Sequence, residues 1–111
     1  MEKINWNDFS KVDMRVGTIL EVADFPKARK PAYQLQIDFG ATIGVLKSSA
    51  QITTKYQPDE LVGRQIIAVV NFREKQIANF MSQCLVMGVM DQDDVILLAP
   101  ERKVKNGLKI G

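Results

Sequence analysis

Between the apolar runs Ala68–Val70 and Cys84–Val89 stand Arg73, Lys75, Gln76, Asn79, Ser82 and Gln83, mixed with Phe72, Ile77, Phe80 and Met81. Two buried strands need only a short polar turn between them, and this insert is longer than that and rich in cations and amides. Lys and Arg neutralise phosphates, while Asn, Gln and Ser bond base edges and sugar hydroxyls. A second cluster, Lys27, Arg29 and Lys30, falls between Pro26 and Pro31, and Lys47 and Ser49 close an alternating stretch further on. The residues expected to meet a polyanion with unpaired bases are therefore Arg29, Lys30, Lys47, Ser49, Arg73, Lys75, Asn79, Ser82 and Gln83. Phe72 and Phe80 flank the insert and are expected in the core rather than as stacking platforms for bases. Phe80, Met81, Met87 and Met90 suggest a different use, an adaptable apolar patch for a peptide or a dimer partner.

Composition narrows the chemistry. There is no histidine, which removes the commonest general base and every Ser-His or Cys-His arrangement. The lone Cys84 cannot form an internal disulfide and has no histidines with which to build a zinc site. Set among apolar neighbours, it reads as a small buried hydrophobe. No phosphate-cradling glycine motif and no paired Cys-x-x-Cys occurs, so neither catalysis nor a cofactor is expected. The formal charge of +2 is too small to prove a nucleic-acid partner by itself. Asp91, Asp93 and Asp94 crowd one turn, however, and leave the positive charge concentrated elsewhere.

The elements that must position these residues follow from the patterning. At 111 residues, 46% hydrophobic and 25% charged, the chain reads as a single globular domain, 1–111. No apolar run is long enough to span a bilayer, and the start MEKINWNDF lacks a signal-type apolar region, so the cytoplasm is the expected location. Asn5–Asp13 predicts a short helix capped by Asn5 or Asn7, with Trp6, Phe9 and Val12 as its apolar stripe. Met14–Val22 predicts a strand with Gly17 as a candidate bulge. Tyr33–Phe39 alternates cleanly, Tyr33, Leu35, Ile37 and Phe39 inward, and Gly40 turns it into Thr42–Lys47, with Ile43 and Val45 inward and Lys47, Ser48 and Ser49 at a wet end. Ser49–Gly63 predicts helical turns interrupted at Pro58. Gln65–Val70 and Ser82–Val89 read as buried antiparallel partners, Val95–Ala99 as a short strand after the acidic turn, and Asn106–Gly107 as a turn in a basic tail.

Five main strands with a helical connection between the third and fourth is the order of an OB-fold, with an SH3-like barrel as the alternative. An OB-fold binds ligands at the face of strands two and three and at the loops joining strands one–two and four–five. Those loops are here the Lys27–Lys30 cluster and the central insert. The expected fold is thus an all-β, five-stranded OB barrel with a short N-terminal helix and terminal extensions.

The runs DMRVGTI, KSSAQIT and VVNFREKQIANFMSQCLVMGV resemble the tRNA-binding-domain family. That family includes export-related chaperones of the CsaA type, the C-terminal part of many bacterial methionyl-tRNA synthetases, and the endothelial monocyte-activating polypeptide. FPKARKPAYQLQIDFG and KQIANFMS are most similar to the CsaA branch, and the resemblance covers essentially the whole chain. It implies an OB-fold that dimerises and binds structured tRNA without reading one sequence; its CsaA-type members also serve as cytoplasmic chaperones assisting preprotein export, which makes unfolded preproteins or the export machinery further expected partners. The synthetase-type loop carries a longer basic run. Arg73, Lys75, Ser82 and Gln83 keep positions of similar character, while Gln76, Ala78 and Asn79 replace cations. The apolar termini, Trp6, Phe9, Leu108 and Ile110, agree with a homodimer.

Overall fold

Strand β1 (Met14–Asp24) serves two neighbours in the computed structural model, which describes residues 1–111. Its first half pairs antiparallel with β4 (Gln65–Val69), and its second half, from Thr18, pairs with β2 (Tyr33–Asp38). β2 pairs in turn with β3 (Val45–Ala50), and β4 with the short β7 (Leu85–Val86), so the sheet order is β3-β2-β1-β4-β7. Two hairpins stand outside this sheet: β5 (Lys75–Ile77) with β6 (Phe80–Ser82), and β8 (Gly88–Asp91) with β9 (Asp94–Leu97). The sheet coils until β3 meets the 82–84 segment, making the nearly closed five-stranded OB-type barrel that the strand order predicts.

Alternation fills the barrel. Leu35 and Ile37 are fully buried and Phe39 is 1% exposed, as their period-two spacing requires. Ile19, Leu61, Ile66 and Ala68 close around them. The bend in β1 lies between Ile19 and Glu21, where the pairing with β2 slips by one residue at Leu20. Gly17 is therefore not the bulge. It pairs in regular register with Ile66, and it is glycine because a Cβ there would lie 2.7 Å from both Ile37 Cγ2 and Phe39 Cε1.

Three other expectations are corrected. After β2, a single helical turn, α2 (Gly40–Ile43), and Gly44 at φ +85° precede β3. The added residues shift the alternation by one, so Leu46, Ser48 and Ala50 face inward while Val45 is 50% exposed. Ser48 is consequently buried rather than on the wet face. The helical connection is one turn, α3 (Pro58–Leu61), and Pro58 begins it instead of interrupting it. The first helical position suits proline, whose missing N–H would have had no partner there. The Ser82–Val89 strand divides into β6, β7 and the start of β8. Only Leu85 and Val86 pair with β4, because Gly88 admits the strand that folds back over it, with Val95 and the Ile96 carbonyl where a side chain would stand.

Both termini dock on the barrel. The Gly107, Leu108 and Ile110 backbones hydrogen-bond to Val16 and Met14, on the part of β1 that β2 leaves unpaired. Helix α1 (Trp6–Ser10) is closed by a reciprocal cap between Asn5 and Asp8, as the sequence predicts for Asn5. Its apolar stripe is largely left open: Trp6 is 75% exposed and Val12 38%, and Trp6 touches the half-buried Phe9 at 5.3 Å between ring centroids. No helix is long and apolar enough to cross a membrane.

Candidate nucleic-acid interface

The insert after β4 folds as the β5–β6 hairpin, with Lys75 opposite Ser82, Gln76 opposite Met81 and Ile77 opposite Phe80. Period-two alternation puts Lys75, Ile77, Phe80 and Ser82 on one side and Gln76 and Met81 on the other. The turn is Ala78–Asn79, and Ala78 rather than Asn79 takes the left-handed conformation, at φ +52°. An alanine there costs about 1 kcal/mol against glycine.

Ser82 and Gln83 bind the hairpin to the barrel. Lys47 N–H donates to Gln83 Oε1 at 2.9 Å, and Gln83 N–H donates to the Lys47 carbonyl at 2.8 Å. Gln83 Nε2 donates to Glu74 Oε1 at 3.1 Å, and Ser49 N–H donates to Ser82 Oγ at 3.2 Å. Just inside, the buried Ser48 hydroxyl donates to the Cys84 carbonyl at 3.0 Å. Side chains thus close the barrel where a regular ladder would otherwise run. Burial pushes the Cys84 thiol up to about 12, so it stays protonated and unreactive at neutral pH, as its apolar neighbours in sequence predict.

Lys47 and Ser49 project from the outer face of β3 beside the hairpin. The Lys47 ammonium stands 5.3 Å from the centre of the Phe80 ring, and the same ring meets Phe25 at 5.4 Å. Phe80 is thus half-buried between two elements, in broad agreement with a packing role, whereas Phe72 is 58% exposed and does not belong to the core. Phe25 carried no signal in the sequence: an aromatic ending a strand before a proline has no periodic partner to mark it.

Arg29, Lys30, Arg73, Lys75 and Asn79 are all exposed. None of Lys27, Arg29, Lys30, Lys47, Arg73 and Lys75 forms an ion pair; the chain's pairs join Arg15 to Asp13, Lys55 to Asp94 and Arg102 to Glu101. These cations hold their charge free for a ligand. Lys30 differs from the rest, because it lines a polar depression of about 460 Å³ with Thr53, Thr54, Asp93 and Asp94, beside the acidic turn.

The four apolar candidates do not form one patch. Met87 and Met90 line a groove of about 360 Å³ with Ile52, Leu85, Val86 and Val95, where β3 and β7 diverge. Phe80 turns toward Phe25, and Met81 lies on the hairpin's other side.

Residues 14–109 match the family model described as "Putative tRNA binding domain", and the chain belongs to that tRNA-binding-domain family. Among solved structures it is similar to the chaperone CsaA of Bacillus anthracis, with a TM-score of 0.93 and 47% identity over 99% of this chain and 100% of that one. The CsaA chaperone protein of Picrophilus torridus gives the same TM-score at 55% identity, over 98% of this chain and 100% of that one. The methionine–tRNA ligase of Pyrococcus horikoshii is 36% identical over 110 residues, which is 99% of this chain and 15% of the enzyme. The chain therefore spans about 15% of the length of that relative.

Proposed function

We propose that this chain is a non-catalytic tRNA-binding protein of the CsaA type, working in the cytoplasm. It would hold structured or single-stranded RNA elements between the β1–β2 loop, the outer face of β2 and β3, and the β5–β6 hairpin. The observation that carries this reading is the set of unpaired cations on these three elements, in a chain of the tRNA-binding-domain family. Arg29, Lys30, Lys47, Arg73 and Lys75 supply the charge that neutralises phosphates, and Asn79 supplies a free amide at the hairpin tip. Ser82 and Gln83 support the site mainly by holding the hairpin to β3, while the Ser49 hydroxyl on the outer face of β3 is offered to the ligand. Replacing Arg73 and Lys75 by Ala is expected to weaken tRNA binding about 15- to 30-fold near 0.15 M salt, and hardly at all near 1 M, if each cation holds one phosphate. Filter binding across salt concentrations measures this, and unchanged affinity and salt dependence would remove both residues from the interface.

A second reading, a chaperone that holds apolar segments of unfolded preproteins, is favoured by the Met-lined groove and by the chaperone relatives. Methionine side chains adapt to varied apolar partners. The homodimer belongs to the same proposal and draws on the exposed Trp6 and Leu108 rather than on the groove. Met87→Asp with Met90→Asp is therefore expected to abolish capture of apolar peptides while light scattering still returns twice the 12.5 kDa chain mass. Retained capture counts against the groove, and a monomeric mass for the unaltered protein counts against the dimer.

A further inference from the structure

We infer that Phe80 is a positioning residue that locks the β1–β2 loop, Lys47 and the β5–β6 hairpin into one cationic surface, an inference that rests on the tRNA-binding reading above. Its ring joins the hairpin to the β1–β2 loop, two elements with no backbone hydrogen bond between them, beside the Gln83–Lys47 link that already ties the hairpin to β3. Phe25, 4% exposed at the end of β1, meets Phe80 at 5.4 Å between centroids with the planes 59° apart. This is the tilted arrangement that aromatic pairs prefer. Lys47 Nζ stands 5.3 Å from the Phe80 centroid, within cation–π range.

Each contact governs a basic segment. Phe25 N–H donates to the Ala32 carbonyl at 3.2 Å, and Ala28 N–H donates to the Phe25 carbonyl at 3.1 Å. The loop carrying Lys27, Arg29 and Lys30 is therefore cinched at the Phe25 backbone, which the seat of the Phe25 ring against Phe80 helps to hold. On the other side, Phe80 pairs with Ile77 next to the hairpin turn, so its seat sets the lean of the strand pair that follows Arg73 and contains Lys75. The cation–π contact fixes the outward Lys47 side chain between the two. The half-buried Phe80 ring carries no charge and is engaged by Phe25 on one side and the Lys47 ammonium on the other, so its effect on a polyanion is exerted through the placement of these neighbours. Aligning them before binding spares the ligand the cost of ordering them.

The test is a double-mutant cycle read by tRNA filter binding. Its members are the unaltered protein, Phe80→Leu, the loop variant Lys27→Ala/Arg29→Ala/Lys30→Ala, and their combination. Phe80→Leu removes no charge, yet it is expected to weaken binding about fivefold. Neutralising the loop is expected to cost the unaltered protein about 15-fold near 0.15 M salt but the Phe80→Leu protein no more than about threefold, since coupled residues are not additive. Phe80→Tyr keeps the ring and is expected to bind within about twofold of the unaltered protein. Additive costs, or full affinity in Phe80→Leu, overturn the inference. Circular dichroism checks folding, and Phe25→Leu replaces Phe80→Leu in the cycle if the latter is unfolded. An unaltered protein that binds no tRNA refutes the RNA reading instead. The lock is then judged in the free protein: faster amide exchange at Lys27–Lys30 in Phe80→Leu supports it, and unchanged exchange overturns it.

Discussion

Phe39→Ala is expected to lower the unfolding free energy by about 4 kcal/mol, the range for emptying a buried aromatic site. Phe39 is 1% exposed and is among the largest side chains wholly inside the barrel. Its ring also fills the space that Gly17 leaves open, so the cavity would run under β1 as well as β2. Its backbone is equally committed: Phe39 N–H donates to the Gly44 carbonyl at 3.0 Å, which closes the helical turn into β3. Relaxation is limited, because Ile37 and Ile19 on either side are themselves fully buried. Urea denaturation measures the loss. A change below about 1.5 kcal/mol would mean that the core can collapse around the gap, contrary to the packing described here.

Gly107→Ala is expected to cost about 3 kcal/mol through two independent causes. Gly107 has φ +90°, a conformation L side chains rarely adopt, and a Cβ there would press on the Phe39 carbonyl oxygen, a backbone atom that cannot rotate away. The turn also anchors the tail: Gly107 N–H donates to the Val16 carbonyl at 2.7 Å, and Arg15 Nη1 donates to the Gly107 carbonyl at 3.1 Å. Thermal unfolding is expected to shift down by about 12 °C, given about 4 °C per kcal/mol at this size. If the melting temperature stayed within about 2 °C, the tail would have to be loosely held. Asn106→Ala is a milder probe of the same turn, since its side-chain oxygen accepts hydrogen bonds from Thr18 and Gln65.

Much of the barrel was legible because its signals are local. Tyr33, Leu35, Ile37 and Phe39 announce a half-buried strand by their spacing alone, and Asn5, Gly63 and Asn106–Gly107 mark ends and turns by their chemistry. The face assignment of β3 was not legible. It depends on how many residues α2 inserts, and an odd number exchanges inside for outside, which is why Ser48 went in and Val45 came out. Gly17 was legible as a constraint but not as to its kind, because only the fold brings Ile37 and Phe39 against it.

For the candidate interface, residue types identified the stretch, yet long-range geometry divided its roles. Ser82 and Gln83 look in sequence like polar groups offered to a ligand. In the fold, their hydrogen bonds go to β3 and Glu74. Phe80 looked like simple core and instead bridges Phe25 and Lys47, a pairing 55 residues apart on one side and 33 on the other (80 minus 25, and 80 minus 47). No periodicity reports contacts of that range.

The most direct measurement is the affinity of the unaltered protein for tRNA as salt is raised. With Arg29, Lys30, Lys47, Arg73 and Lys75 each able to meet a phosphate, the logarithm of the association constant is expected to fall against the logarithm of salt concentration with a slope of about −3.5 to −4.5. Absence of binding at low salt, or binding with a flat salt dependence, would contradict a cationic tRNA interface on this face of the barrel.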